Sequence, residues 1–241
     1  MSEEREWSTT EIETQLLEYL DNRLASLMRA RRLITIAEKI ESQSSLFQGD
    51  VDSPLSDAPS HEILRAVIVL THAYLEESLR ALGRILLPFA PKNVLDDIPL
   101  AGTQGRAAAK ILLGSLRAHR DETVEGLIQN SIDEHLEHRS FNNGTEVSRF
   151  LAKLGVDIPS SDLGTINDMI QRRHRIAHRA DRLWDEGSQA LTICPISSKQ
   201  ALNWVSATDQ LMSRILNKVA ERYSLRPRWA IPNPPEPKTE S

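Results

Sequence analysis

Five arginines, two histidines and one carboxylate fall within Gln171-Arg172-Arg173-His174-Arg175-Ile176-Ala177-His178-Arg179-Ala180-Asp181-Arg182, in a chain whose formal net charge is -5. Arginine holds phosphate through a planar, permanently charged fork of donors. Histidine is the side chain whose ordinary pKa allows proton transfer near neutral pH. Together they point to chemistry on a phosphodiester. One histidine takes the proton of a ribose 2′-hydroxyl, and the freed oxygen attacks the adjacent phosphorus. An arginine stabilises charge on the phosphoryl oxygens, and a protonated histidine serves the departing 5′-oxygen. No cofactor is needed. An acidic chain is not drawn to nucleic acid as a whole, so binding has to come from this basic patch and weaken with salt.

Two other readings compete. The run can be a solvated helix face neutralised by Asp168, Asp181, Asp185 and Glu186, although crowding of like charges then costs stability. Alternatively His174, His178 and Asp181, spaced by four and three, share one face of a helix and can hold a zinc-like ion. Arg175, Arg179 and Arg182 repel a cation there, and no glutamate lies between the histidines as in a metalloprotease helix. Asp181 therefore reads as a hydrogen-bond partner that orients His178. No glycine-rich phosphate loop and no nucleophile-elbow pattern occur.

The elements that must position these residues are helical by periodicity. Apolar residues at Ile12, Leu16, Leu20, Leu24, Leu27, Ile34 and Ile40 predict a long helix over about 10–45, opened by a capping box at Thr10 and Glu13. Residues 47–60 read as a loop. Ser60 is expected to cap a helix carrying Ile63, Val67, Leu70, Leu75, Leu79, Leu82 and Leu86, stopped by Pro88 and Pro91. Shorter helices are expected through 107–116, after Asp121, and from Thr145 to Gly155. Asp162 is expected to cap the helix bearing the arginine run. Residues 191–194 alone could be a strand, and a last helix spans about 198–223. The fold class is all-α, a single domain over residues 1–225, with a proline-rich, disordered tail over 226–241.

Arg173-His174-Arg175-Ile176-Ala177-His178 fits an arginine, a polar residue, three further residues and a histidine. That pattern resembles the signature of the HEPN superfamily (higher eukaryotes and prokaryotes nucleotide-binding). The stretch from His72 to Arg80 also resembles the superfamily's early aromatic-leucine-acid helix. The resemblance covers about residues 60–223. It implies a multi-helix up-and-down bundle, and a metal-independent endoribonuclease acting as a two-fold homodimer in which the motifs of two chains share a cleft. On that resemblance Arg173 and His178 are the catalytic pair and His174 the supporting polar residue. Many members act as toxins or antiviral effectors beside a neutralising partner, and others only bind a protein or nucleotide.

Arg173 and His178 stand about 140° apart on an ideal helix. Either the arginine wraps round, or the helix is irregular, or Arg173 works with His178 of the partner subunit. Arg172, Arg175, Arg179 and Arg182 are further candidates for holding RNA phosphate, with Glu76 and Glu77 as supporting hydrogen-bond partners. Trp184, just after the run, can stack on a base or pack the loop. Cys194 is the single cysteine, which rules out an intrachain disulfide and suits a reducing compartment. With no apolar run near membrane length and no apolar leader, the expectation is a cytoplasmic protein without a membrane.

Overall fold

The computed structural model describes residues 3–43, 58–102, 115–187 and 189–225. The predicted loop over 47–60 lies mostly outside them, as do most of the predicted helix over 107–116 and the whole tail. Seven α-helices are found among the described residues: α1 (Glu3–Ser42), α2 (Pro59–Leu86), the one-turn α3 (Lys92–Leu95), α4 (Val124–Glu137), α5 (Gly144–Lys153), α6 (Gly164–Arg179) and α7 (Ser198–Arg222). Between α6 and α7 a hairpin pairs β1 (Arg182–Asp185) with β2 (Ala190–Ile193) in antiparallel register. The expected all-α class stands, with this small sheet added.

α2 is the central element and packs against α1, α4, α6 and α7. Its buried face follows the i, i+3, i+4 spacing through Leu64, Ile68, Leu75, Leu79, Leu82 and Leu86. Each such leucine contributes about 1.5–3 kcal/mol by leaving water. Phe141 and Phe150 close the core from the α4–α5 side, their rings edge-on with centroids 5.1 Å apart. α2 and α4 approach closely at Gly83, where an added Cβ would lie 2.9 Å from both Leu136 Cδ2 and Phe150 Cζ.

The helix starts depart from the predicted caps. α1 runs on to Glu3, because nothing between Glu3 and Thr10 halts a helix. Pro59 occupies the first turn of α2, and Ser60 is buried inside the helix rather than capping it. Thr123, not Asp121, caps α4, its hydroxyl accepting the Gly126 N–H at 3.0 Å. Asp162 lies in a 3₁₀ turn before α6 and accepts from Arg214 at 2.5 Å. None of the helices among the described residues is long and apolar enough to cross a membrane.

Candidate nucleic-acid site

α6 carries the basic run with its buried side fixed by Ile166, Met169 and Ile170 against the core. At 100° per residue the next positions divide between two sides of the helix. Arg173 and Ala177 continue the side of Ile166, Met169 and Ile170, and His174 and His178 follow around the helix toward solvent. Arg173, Ala177, His174 and His178 thereby form one stripe in steps of about 40°, 60° and 40°, while Arg172 lies about 100° the other way from Arg173. Arg173 is half-buried, whereas His174, Ala177 and His178 are exposed. The two imidazoles touch, with ring centroids 4.5 Å apart and planes tilted by 47°. Ala177 leaves a gap between Arg173 and the histidines, low enough for a long arginine to lean across. Arg173 and His178 thus stand at the two edges of this stripe, about 140° apart.

Arg173 borders α2. Its positive charge opposes protonation of His72, whose imidazole is held below the ordinary value of 6.5 chiefly by burial, with Glu76 and the Phe141 carbonyl acting in the opposite sense. His72 Nε2 lies 3.3 Å from the Phe141 carbonyl. Glu76 accepts the Phe141 N–H at 3.2 Å, and its other oxygen is 3.8 Å from both His72 Nδ1 and Arg80. Glu76 therefore holds the α4–α5 connection in the floor beneath Arg173. Glu77 departs from the expectation that it reaches the same cleft: one residue on, it turns to Arg84, which donates to it at 2.8 Å.

Arg172 and Asp181 require a larger correction. Both were expected at the exposed site, yet their side chains are 6% and 0% accessible. Arg172 donates to Asp181 at 2.7 Å and to the carbonyls of Cys194 and Pro195 at 2.9 and 3.0 Å. Arg65 of α2 reaches the same carboxylate oxygen at 2.8 Å and the Cys194 carbonyl at 3.1 Å. A buried carboxylate needs such partners, since an unpaired one costs several kcal/mol. Asp181 consequently cannot orient His178, and it shares no face with His174 and His178. The helix stops at Arg179, and Ala180 and Asp181 take left-handed φ values of 47° and 56°, swinging the carboxylate inward. No grouping of three or more His, Cys, Asp or Glu side chains suited to a metal occurs among the described residues.

Arg65 escaped the sequence reading, although a signal existed. It interrupts the apolar sequence Ile63-Leu64-Arg65-Ala66-Val67-Ile68 at a position facing the core, where a lone charge demands a partner. Arg175 and Arg182 are half-buried and Arg179 is exposed at the end of α6. A family profile described as RiboL-PSP-HEPN matches residues 31–220 of the chain. No curated protein and no solved structure matches it.

Proposed function

The chain belongs to the RiboL-PSP-HEPN family, and from that premise we propose that it is a metal-independent endoribonuclease whose reacting groups are Arg173 and His178. The observation that carries this reading is the stripe on α6, where two touching, exposed imidazoles follow a half-buried arginine around the helix. His178 takes the 2′-hydroxyl proton, the 2′-oxygen bonds to phosphorus, and the bond to the 5′-oxygen breaks. That oxygen receives a proton from a protonated imidazole, either His174 or His178 of the partner subunit. The products are a 2′,3′-cyclic phosphate and a 5′-hydroxyl. Arg173 neutralises the phosphoryl oxygens as negative charge builds on them. Arg175, Arg179 and Arg182 hold flanking phosphates, whereas Arg172 acts only by positioning.

The working unit is a two-fold homodimer whose α6 stripes face one shared cleft, and the setting is growth arrest as a toxin or antiviral effector beside a neutralising partner. A general base contributes about 10²–10⁴-fold to rate. His178→Ala should therefore lower cleavage of single-stranded RNA by that factor while leaving the circular dichroism spectrum unchanged, because His178 is exposed. A variant that cleaves as fast as the parent refutes the assignment. RNA binding without cleavage by the parent itself would make the chain a binding module.

A further inference from the structure

The β1–β2 hairpin is built more firmly than its size warrants. A lone two-stranded hairpin is marginal in water, and these strands have four residues each. Here the base is fastened to two core helices. The Cys194 N–H donates to the Asp181 carbonyl at 2.9 Å, extending the ladder by one bond. Asp181 and Cys194 are themselves held by Arg65 of α2 and Arg172 of α6.

The firm mount presents an apolar pair to solvent. Trp184 and Leu191 are direct cross-strand partners, 62% and 53% exposed. Strand alternation places Arg182, Trp184, Leu191 and Ile193 on the same face, with Leu183 and Asp185 on the other. Among the paired strand residues, none on the Trp184 face is a carboxylate. Asp185 accepts the Gly187 N–H at 3.1 Å, and Glu186 lies in the turn. An indole and a guanidinium on one strand face, with no acid among their paired neighbours, are matched to a flat base followed by a phosphate, which is how single-stranded nucleic acid is gripped.

Building on the reading of α6 as an RNA-cleaving site, we propose that the hairpin is a nucleobase-binding platform: Trp184, flanked by Leu191, stacks on an unpaired base while Arg182 holds the adjoining phosphate. The hairpin follows α6 directly in the chain, Arg182 coming four residues after His178. The platform selects single-stranded over duplex RNA, since a paired base cannot offer its open face.

The test uses the full chain carrying His178→Ala, so that binding is read without cleavage, and a fluorescein-labelled single-stranded RNA oligonucleotide followed by anisotropy. Stacking on an aromatic side chain changes affinity by about 5- to 150-fold per base. Adding Trp184→Ala should weaken binding by a factor in that range, and Trp184→Phe should restore most of it. The elution volume in gel filtration should be the same for all three proteins. Equal affinity of the Trp184→Ala protein and its parent overturns the platform while leaving the α6 site standing. A shift to smaller oligomers with Trp184→Ala also overturns it, making the face a protein interface. Failure of every protein to bind the oligonucleotide overturns both the platform and the RNA reading of α6.

Discussion

Replacing Asp181 by alanine should be among the most damaging single changes in the chain, although the residue directly follows a helix end in a turn. The carboxylate is 0% exposed, and its Oδ2 accepts from Arg65 Nε at 2.8 Å and from Arg172 at 2.7 Å. A hydrogen bond to a charged partner contributes about 1.5–3 kcal/mol, so two amount to about 3–6. The independent expectation for removing one partner of a buried ionic group is about 3–5 kcal/mol. Here two guanidiniums, each only 6% exposed, would be left without their shared counter-charge. A loss of about 4 kcal/mol is a large part of the 5–15 kcal/mol that holds a typical domain together. At about 2–4 °C per kcal/mol for this size, thermal unfolding followed by circular dichroism should shift down by about 8–16 °C. Asp181→Asn keeps one acceptor and should fall between. A shift below about 3 °C for Asp181→Ala would mean that the two arginines are solvated, and the account of how the end of α6 is anchored would be refuted.

Two further perturbations follow from the core. Folding depresses the His72 pKa below 6.5 through burial, so the unfolded chain takes up the proton first as pH falls. Stability from this group is complete above about 6.5 and drains away on acidification toward the folded pKa. His135 is shifted the same way, by burial and then by Arg139 and Lys153. Urea titrations should show less stability at pH 5 than at pH 7, and His72→Gln should flatten part of that slope; an unchanged slope would remove His72 from the explanation. Gly83→Ala gains about 1 kcal/mol of helix propensity but pushes a Cβ to 2.9 Å from two packed side chains. Overpacking costs about 1–3 kcal/mol, so a net loss should appear as a lower urea midpoint, and a raised midpoint would show that α4 and α5 give way freely.

How much of this was legible in the sequence varied with how local the cause was. The buried face of α2 followed only in part from helical spacing. Val67, Leu75, Leu79, Leu82 and Leu86 are buried as expected, but Leu70 is 41% exposed and Ile63 only partly covered, and Leu64 and Ile68 face the core beside Val67. The caps were harder to place, since Ser60, Asp121 and Asp162 each have capping chemistry and backbone geometry alone decides which residue uses it. β1 went unseen because Arg182-Leu183-Trp184-Asp185 is short and gains its partner only when Ala180 and Asp181 turn left-handed. Neither is a glycine, so the turn carries no signal in the sequence. At the site, residue types predicted the chemistry, but a rotation of 100° between adjacent residues separates Arg172 in the interior from Arg173 at the stripe. Arg65 and the Cys194 and Pro195 carbonyls, all distant in the sequence, supply the partners that let Asp181 and Arg172 lie inside.

The central claim is cleavage by Arg173 and His178 without a metal, and product chemistry tests it most directly. Purified parent, Arg173→Ala and His178→Ala proteins would be incubated with mixed single-stranded RNA in excess chelator and the fragment ends resolved by mass spectrometry. The account predicts fragments ending in 2′,3′-cyclic phosphate from the parent and essentially none from either variant. Cleavage that stops with chelator, or that persists in both variants, would contradict it.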